Sequence, residues 1–351
     1  MILPKILLFT PNGCGGSERV TLIISRILQN SSYNVKIFIL ELYPNDNLLS
    51  FVPQDVPNEK IKIKRTRNSF FKIYKILKME KPDFVFCSSF FVFLVLILLT
   101  FLNKKIKVVV RHGFMPDAKL DGSPMLIKFF YPFAYKIIAQ TNQMKESMVN
   151  FYGIDKKLIT VINNPIDEVY INKCTEEISP FTAINDINYV AIGRIGLFKD
   201  YETLIKAFDI VNKRNIMTHL YIIGLDYEKE YSVYIKNIVR ERGLDHCVHF
   251  EGFKINPYKY LFNSDCFVLS SLTEGLPNVM LEAMYLNIPV VATRCIPFVE
   301  EHIFENINGF CVDVKDYVSM ADAMEKAIKL KGKINMSLYS SNDDRLFDIF
   351  N

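Results

Sequence analysis

The sequence predicts an α/β fold built from two doubly wound domains, and three observations carry that expectation. Short apolar runs of strand length recur along the whole chain, each ending in a small or polar residue. Most are followed by a stretch with helical spacing of apolar residues. Near-continuous apolar strands alternating with helices mark parallel sheets covered on both faces. At 351 residues the chain is long enough for two domains, each with its own core. Half the residues are hydrophobic, 23% are charged, and 14 Gly with 15 Pro are too few for a collagen-like, low-complexity or disordered chain.

The first-half strands are read at Lys5 to Thr10, Val35 to Glu41, Asp83 to Ser89, Lys107 to His112, Lys136 to Thr141 and Leu158 to Asn163. The second half repeats the rhythm at Asn188 to Gly193, His219 to Gly224, Val248 to Gly252, Cys266 to Ser271, Pro289 to Thr293 and Phe310 to Val314. The proline-bearing turn Asn163-Asn164-Pro165-Ile166-Asp167, followed by a polar stretch from Ile171 to Asn188, sets the domain junction. The expected division is 1–167 and 168–335, with a tail at 336–351. Ligands of such folds bind outside the carboxyl ends of the strands, so two facing domains would place a cleft between them.

Phe84 to Leu102 contains no charge and is long enough to be weighed as a membrane span. Its start reads as a buried strand ending at Ser88-Ser89, which leaves an apolar helix too short for a bilayer. The apolar stretch after Lys5 is too short for a signal peptide, and a cytoplasmic location is expected. Seven cysteines, an odd number without a CxxC pair, read as buried thiols of a reducing compartment rather than a disulfide or zinc framework.

The net charge of +4 conceals an asymmetry. Residues 1–170 carry 23 Lys/Arg against 13 Asp/Glu, and residues 171–351 carry 19 against 25. Unless the lysines are a chance spread of solvated side chains, the basic half faces an anionic partner. Its most basic stretch, Lys60 to Lys81, includes Lys64, Arg65, Arg67, Lys72, Lys75 and Lys78 interleaved with Phe70, Phe71 and Tyr74. That pattern suits either an anionic bilayer or an ordinary amphipathic helix. Nucleic-acid binding would need a recognised base-stacking platform, and none is present.

Three strand ends carry candidate chemistry. Pro11-Asn12-Gly13-Cys14-Gly15-Gly16-Ser17-Glu18-Arg19 leads into a helix marked by Val20, Ile23, Ile24 and Ile27. A glycine-rich turn at a helix start admits an anion to the backbone N–H groups, although a tight turn alone would look the same. The register is not a dinucleotide fingerprint, because Glu18 stands at the third glycine position. Gly193-Arg194-Ile195-Gly196-Leu197-Phe198-Lys199-Asp200 precedes a second helix, with Asp200 as its cap. Arg194 and Lys199 at that helix start suit a diphosphate, or are simply solvated loop cations. In Ser270-Ser271-Leu272-Thr273-Glu274-Gly275-Leu276-Pro277-Asn278 a strand ends at the serines and a helix begins near Asn278. Glu282 lies in that helix among Val279, Met280, Leu281, Ala283 and Met284; it either needs buried donors, which ligand hydroxyls would supply, or sits at a solvent edge. Asn287 is expected to take the left-handed cap position after it.

These segments, in order and together with Val161-Ile162-Asn163-Asn164-Pro165, resemble the retaining GT-B glycosyltransferases of family 4. The resemblance runs from Lys5 to about Leu330 and is most specific in the E-x7-E pair Glu274 and Glu282. It implies two Rossmann-like domains and a nucleotide-sugar donor, with UDP and a hexose or N-acetylhexosamine favoured. By the same resemblance Arg194 and Lys199 hold the donor diphosphate and stabilise its developing charge. Glu274 contacts sugar hydroxyls, assisted by the donor-binding segment Gly275, Leu276, Pro277 and Asn278, whose backbone N–H groups are those of every residue but the proline. Glu282 holds the ribose, while Gly15 and Gly16 close on the diphosphate. His112 is placed near the acceptor and donor sugar, although a strand-end histidine also serves as a structural hydrogen-bonder. Retention is thought to proceed by same-face attack, the leaving phosphate taking the acceptor proton. No obligatory cofactor or metal is expected.

Two features depart from the family pattern. Relatives often have a glycine-rich turn where this chain has Arg294-Cys295-Ile296-Pro297 after Thr293. The tail is short, and Leu346 to Phe350 would be a remnant of the final helix that crosses back to the first domain. The implied acceptor is a glycan, favoured as lipid-linked, with peripheral attachment to the cytoplasmic membrane face and a role in surface polysaccharide or glycoconjugate synthesis. The alternatives are a non-catalytic nucleotide-sugar-binding partner of a glycan assembly complex and a GT-B epimerase.

Overall fold

Alternation of side chains along the strands explains why they are apolar throughout. In the first strand Leu7 and Phe9 join one buried cluster while Ile6 and Leu8 join another on the opposite face. A sheet covered on both sides needs apolar residues at every position. The structure, a computed structural model, describes residues 4–13, 15–42, 47–63, 69–101, 103–113, 124–181, 186–334 and 344–351. It divides into two units, Met1–Ile166 with Ser341–Asn351, and Asp167–Ser340.

The first unit runs β1 (Lys5–Pro11), α1 (Gly16–Asn30), β2 (Asn34–Glu41), β3 (Asn58–Lys62), α2 (Phe70–Glu80), β4 (Phe84–Cys87), α3 (Phe90–Thr100), β5 (Lys107–Arg111), α4 (Pro124–Phe130), β6 (Lys136–Ala139), α5 (Asn142–Tyr152) and β7 (Ile159–Val161). Its strands form one parallel sheet in the order β3-β2-β1-β4-β5-β6-β7. The second unit runs α6 (Glu168–Thr175), β8 (Ile187–Ile192), α7 (Tyr201–Arg214), β9 (Thr218–Ile223), α8 (Lys229–Glu241), β10 (Val248–Gly252), α9 (Tyr258–Asn263), β11 (Cys266–Leu269), α10 (Asn278–Tyr285), β12 (Val290–Thr293), α11 (Pro297–His302), β13 (Gly309–Val312) and α12 (Tyr317–Ala327). Its sheet is parallel in the order β10-β9-β8-β11-β12-β13. The last helix, α13 (Arg345–Phe350), packs into the first unit, with Leu346, Ile349 and Phe350 buried beside Tyr33 and Phe84.

Both sheets are doubly wound. The chain moves outward in one direction from β1 and in the other from β4, and likewise from β8 and β11. A crevice opens at the carboxyl ends of the strands where the order reverses, and there ligands of such sheets bind.

The structure differs from the sequence reading at three places. β3 was not expected, because Asn58, Glu59 and Lys60 are exposed and only Ile61 is buried, as suits a polar edge strand. The polar stretch after the junction begins with α6, capped by Asp167, whose side chain accepts from the Tyr170 N–H at 3.1 Å, and anchored by buried Ile171 and Cys174. Several strands stop short of their expected ends: Thr141 caps α5 instead, accepting from Met144 N–H at 3.0 Å.

The apolar segment after β4 is the eleven-residue α3, buried along most of its surface, and no helix among the described residues is long and apolar enough to cross a membrane. Of the described cysteines Cys87, Cys174, Cys247 and Cys266 are buried, Cys295 and Cys311 are half-buried, and all six are free thiols. Cys14, Lys64, Arg65, Arg67 and Leu102 lie outside the described residues.

Candidate functional site

The reversal point of the second sheet gathers most of the residues singled out above. β8 ends at Ile192, and the next turn carries Gly193, exposed Arg194 and half-buried Lys199. Asp200 sits at a left-handed φ of 45° and caps α7, its carboxylate accepting from Thr203 N–H at 3.4 Å and Thr203 Oγ1–H at 2.7 Å. β11 ends at Leu269, and Ser270 donates to the Lys199 carbonyl at 2.7 Å while Leu272 N–H donates to the Phe198 carbonyl at 2.8 Å. The two loops on either side of the crevice are thus tied together.

Across that junction Lys199 Nζ donates to Glu274 Oε1 at 2.5 Å, and the Ser271 hydroxyl donates to the same oxygen at 2.7 Å. Glu274 is mostly covered, so this is a partly desolvated ion pair. Thr293, at the end of β12, supports the loop from below by donating to the Ser271 carbonyl at 2.6 Å. Burial, with the nearby Glu274 carboxylate adding to it and Lys199 opposing, pushes the Cys295 thiol up to about 12. The residue in place of the family's glycine turn therefore lies within electrostatic reach of the pair as a neutral thiol. Arg294 beside it is engaged by Glu300 at 3.0 Å and Asp313 at 3.1 Å.

α10 starts at Asn278 with Pro277 at its cap position, and Pro277 makes no side-chain cap hydrogen bond. Gly275, Leu276 and Pro277 form the approach to it, Leu276 being buried. Glu282 is buried on α10, and the Tyr258 hydroxyl from α9 donates to its Oε1 at 3.0 Å. The buried carboxylate therefore has a donor from the protein, which spacing along the sequence did not reveal. Asn287 adopts the left-handed conformation expected after α10, with φ 56°.

The remaining candidates belong to the first unit. Gly15 and Gly16 stand at the start of α1, where Gly15 has the cap position and Glu18 lies in the first turn. His112 follows β5 and is fully buried. Its Nδ1 shares a hydrogen bond with the Tyr131 hydroxyl at 2.9 Å, and Gln140 Nε2–H donates to its carbonyl at 2.8 Å. Burial, reinforced by the adjacent Arg111 guanidinium, holds the imidazole down at about 3, so it is neutral over the physiological range. Arg111 is itself buried, donating to Asn164 Oδ1 and, at 3.4 Å, to Ser17 Oγ.

Sequence reasoning missed Tyr258, and it missed Tyr227 and Glu228 in the loop after β9. Both lie just beyond Gly224, a strand end it did identify.

Comparison with known proteins agrees with the two-domain fold. Residues 14–169 match the family model Glycosyltransferase Family 4, and residues 175–341 match Glycosyl transferases group 1. An uncharacterized glycosyltransferase of Methanocaldococcus jannaschii is 32% identical over 66% of this chain, the aligned stretch spanning 60% of that relative. The Campylobacter jejuni N-acetylgalactosamine-N,N'-diacetylbacillosaminyl-diphospho-undecaprenol 4-alpha-N-acetylgalactosaminyltransferase is 25% identical over 92% of this chain and 91% of its own length. Among solved structures, Anabaena HepE in complex with UDP-glucose superposes with a TM-score of 0.77 at 17% identity, covering 93% of this chain and 92% of that one.

Proposed function

The chain belongs to the GT-B glycosyltransferases of group 1 and family 4, and on that premise we propose that it transfers a hexose or N-acetylhexosamine from UDP to a lipid-linked glycan with retention at the anomeric carbon. The observation that carries the donor side is the cation pair at the β8/β11 reversal point, Arg194 exposed and Lys199 bound to Glu274. A diphosphate entering there meets two permanent charges and a helix start, the means by which a phosphate leaving group is stabilised. Glu274, displaced from Lys199 by the phosphate, becomes free to accept hydrogen bonds from sugar hydroxyls. Glu282, oriented by Tyr258, is assigned to the ribose. His112, neutral and fixed by Tyr131, acts as a hydrogen-bonding group toward the acceptor or sugar rather than as a cation. The acceptor hydroxyl attacks on the face the phosphate leaves, and its proton passes to that phosphate.

The acceptor reading draws on the diphospho-undecaprenol substrate in the name of the Campylobacter relative and on the surface of the first unit. Phe101, Phe129 and Phe133 are at least half exposed, with ring centroids 5.3 and 6.1 Å apart in sequence around Phe133. Leu98, Met125 and Leu126 are exposed with them, and Lys104, Lys105 and Lys128 are exposed on the same segments. α2 adds exposed Phe71, Tyr74, Lys72, Lys75 and Lys78. Aromatic and aliphatic side chains among lysines suit the interface of an anionic membrane, each cation contributing about 1 kcal/mol near the surface.

A thermal-shift and turnover screen over UDP-, GDP- and ADP-sugars, with membrane lipid extract as acceptor, tests the donor and acceptor together. UDP-sugar stabilisation and acceptor-dependent UDP release are expected. Stabilisation without release, whatever the acceptor, would favour a non-catalytic binder, and sugar interconversion without acceptor would identify an epimerase. Flotation with phosphatidylglycerol vesicles but not with phosphatidylcholine vesicles is expected for the membrane surface.

A further inference from the structure

The two candidate phosphate-binding cations are held differently. Lys199 is neutralised by Glu274, whereas among the described residues no carboxylate pairs with Arg194. The Arg194 guanidinium instead lies over the ring of Tyr227, with its carbon 4.4 Å from the ring centroid, and both side chains are exposed.

This contact rests on a rigid piece of backbone. Beyond the ends of β8 and β9 the strands continue as a hydrogen-bonded pair of turns. Gly193 N–H donates to the Ile223 carbonyl at 2.9 Å, Ile195 N–H to Leu225 at 2.8 Å, and the N–H groups of Tyr227 and Glu228 both donate back to the Ile195 carbonyl at 3.2 and 3.1 Å. The Glu228 carboxylate accepts from Leu197 N–H at 3.2 Å. Ile195 is buried beneath the turns. A Cβ on Gly224 would stand 1.9 Å from the Gly193 carbonyl oxygen, so the close approach of the two strand ends requires glycine there, whereas one on Gly196 would meet only the movable Glu228 carboxylate at 3.0 Å. Arg194 and Tyr227 are thus brought side by side by their backbones before the side chains interact.

An aromatic ring and a carboxylate do different things to a cation. A carboxylate cancels the charge and occupies the guanidinium N–H donors. A ring attracts the cation by about 0.5–1 kcal/mol at an exposed site and leaves both the charge and the in-plane donors available. We propose that Tyr227 is a positioning residue, whose ring holds the Arg194 guanidinium at the carboxyl end of β8, charged and with its donors unspent, for the diphosphate of the incoming donor. The assignment rests on the donor reading above. It also explains why only one of the two cations carries an acid partner. Lys199 is switched by exchange between Glu274 and phosphate, and Arg194 is ready beforehand.

The test combines binding and spectroscopy. In donor-free protein the Arg194 Hδ protons are expected to show an upfield ring-current shift by NMR, retained in Tyr227→Phe and lost in Tyr227→Leu. UDP affinity by calorimetry is expected to fall about two- to fivefold in Tyr227→Leu, to be unchanged in Tyr227→Phe, and to be insensitive to the Tyr227→Leu change in an Arg194→Met background. Uridine, which has no phosphate, is expected to bind equally to all. Equal UDP affinity in wild type and Tyr227→Leu, a missing ring-current shift, or parallel losses for UDP and uridine would overturn the assignment, the last outcome marking a merely structural loop. Wild-type protein that takes none of UDP, GDP and ADP would instead overturn the donor reading and with it the role given to Arg194.

Discussion

Glu274 pairs with Lys199 in the donor-free protein, and the proposed donor reading adds a second demand, accepting from sugar hydroxyls, that separates from the first on substitution. Glu274→Gln keeps a hydrogen-bond partner for Ser271 but releases the Lys199 charge. UDP affinity is expected to stay level or rise, while transfer from the UDP-sugar falls; a parallel loss of both would mean that the carboxylate only holds the loop. If Lys199 stabilises the leaving diphosphate as proposed, Lys199→Ala is expected to lower kcat by about 10²–10³-fold, with partial recovery in Lys199→Arg. His112 gives a pH prediction. Its folded-state value, about 3, lies below the value of an unfolded histidine, so between roughly pH 6.5 and 3 the unfolded chain binds the extra proton. The stability contributed by the neutral imidazole is full above pH 6.5 and is lost as the pH falls through that window, with a slope of up to about 1.4 kcal/mol per unit. In denaturant titrations His112→Asn is expected to flatten that slope. An unchanged slope would place the proton uptake elsewhere.

At the scale of elements, the site depends on how closely β8 and β9 approach at their carboxyl ends. Gly224→Ala drives a Cβ into the Gly193 carbonyl, against backbone rather than a movable side chain. The turn carrying Arg194 must shift, with an expected cost of about 1–3 kcal/mol and a loss of UDP affinity exceeding that of Tyr227→Leu. A variant with wild-type melting temperature and affinity would show that the turn tolerates the displacement. This close approach was partly legible in the sequence. The apolar runs ending in Gly193, Gly224 and Ser270-Ser271 were identified because strands covered on both faces must be apolar at every position. What lay beyond them was not legible. Tyr227 and Tyr258 act through space on Arg194 and Glu282, thirty-three and twenty-four residues away in the chain, and no local spacing encodes that pairing. β3 escaped for the opposite reason, since an edge strand with one buried side chain lacks the apolar signature that revealed the others. α6 escaped because its buried face consists of only Ile171 and Cys174.

For the whole molecule, the charge split separates two arrangements: the acidic half places the candidate donor-binding cations Arg194 and Lys199 at one strand-end crevice, while the basic half carries lysines among exposed aromatic rings on α2 and α4. The end of the chain adds a dependence that the split does not show. Although α13 follows the second unit in sequence, its side chains belong to the first. Phe350 packs edge-on against Phe84 at 5.3 Å, Phe347 stacks on Tyr33 at 6.3 Å, and the Tyr33 hydroxyl donates to Asn351 Oδ1 at 2.8 Å. Leu346, Ile349 and Phe350 are almost completely buried, and each such side chain contributes about 1.5–3 kcal/mol. Together they stabilise the first unit by on the order of 5 kcal/mol, a large share of a typical domain stability of about 5–15 kcal/mol. Removing residues 344–351 is therefore expected to lower or abolish the first unit's calorimetric transition, while the second unit keeps its own transition and its affinity for UDP. Loss of UDP binding together with both transitions would show that the units do not fold independently, and an unchanged first transition would show that α13 contributes little. The selective outcome would make residues 344–351 a structural part of the first unit, even though the entire second unit separates them from it in the chain.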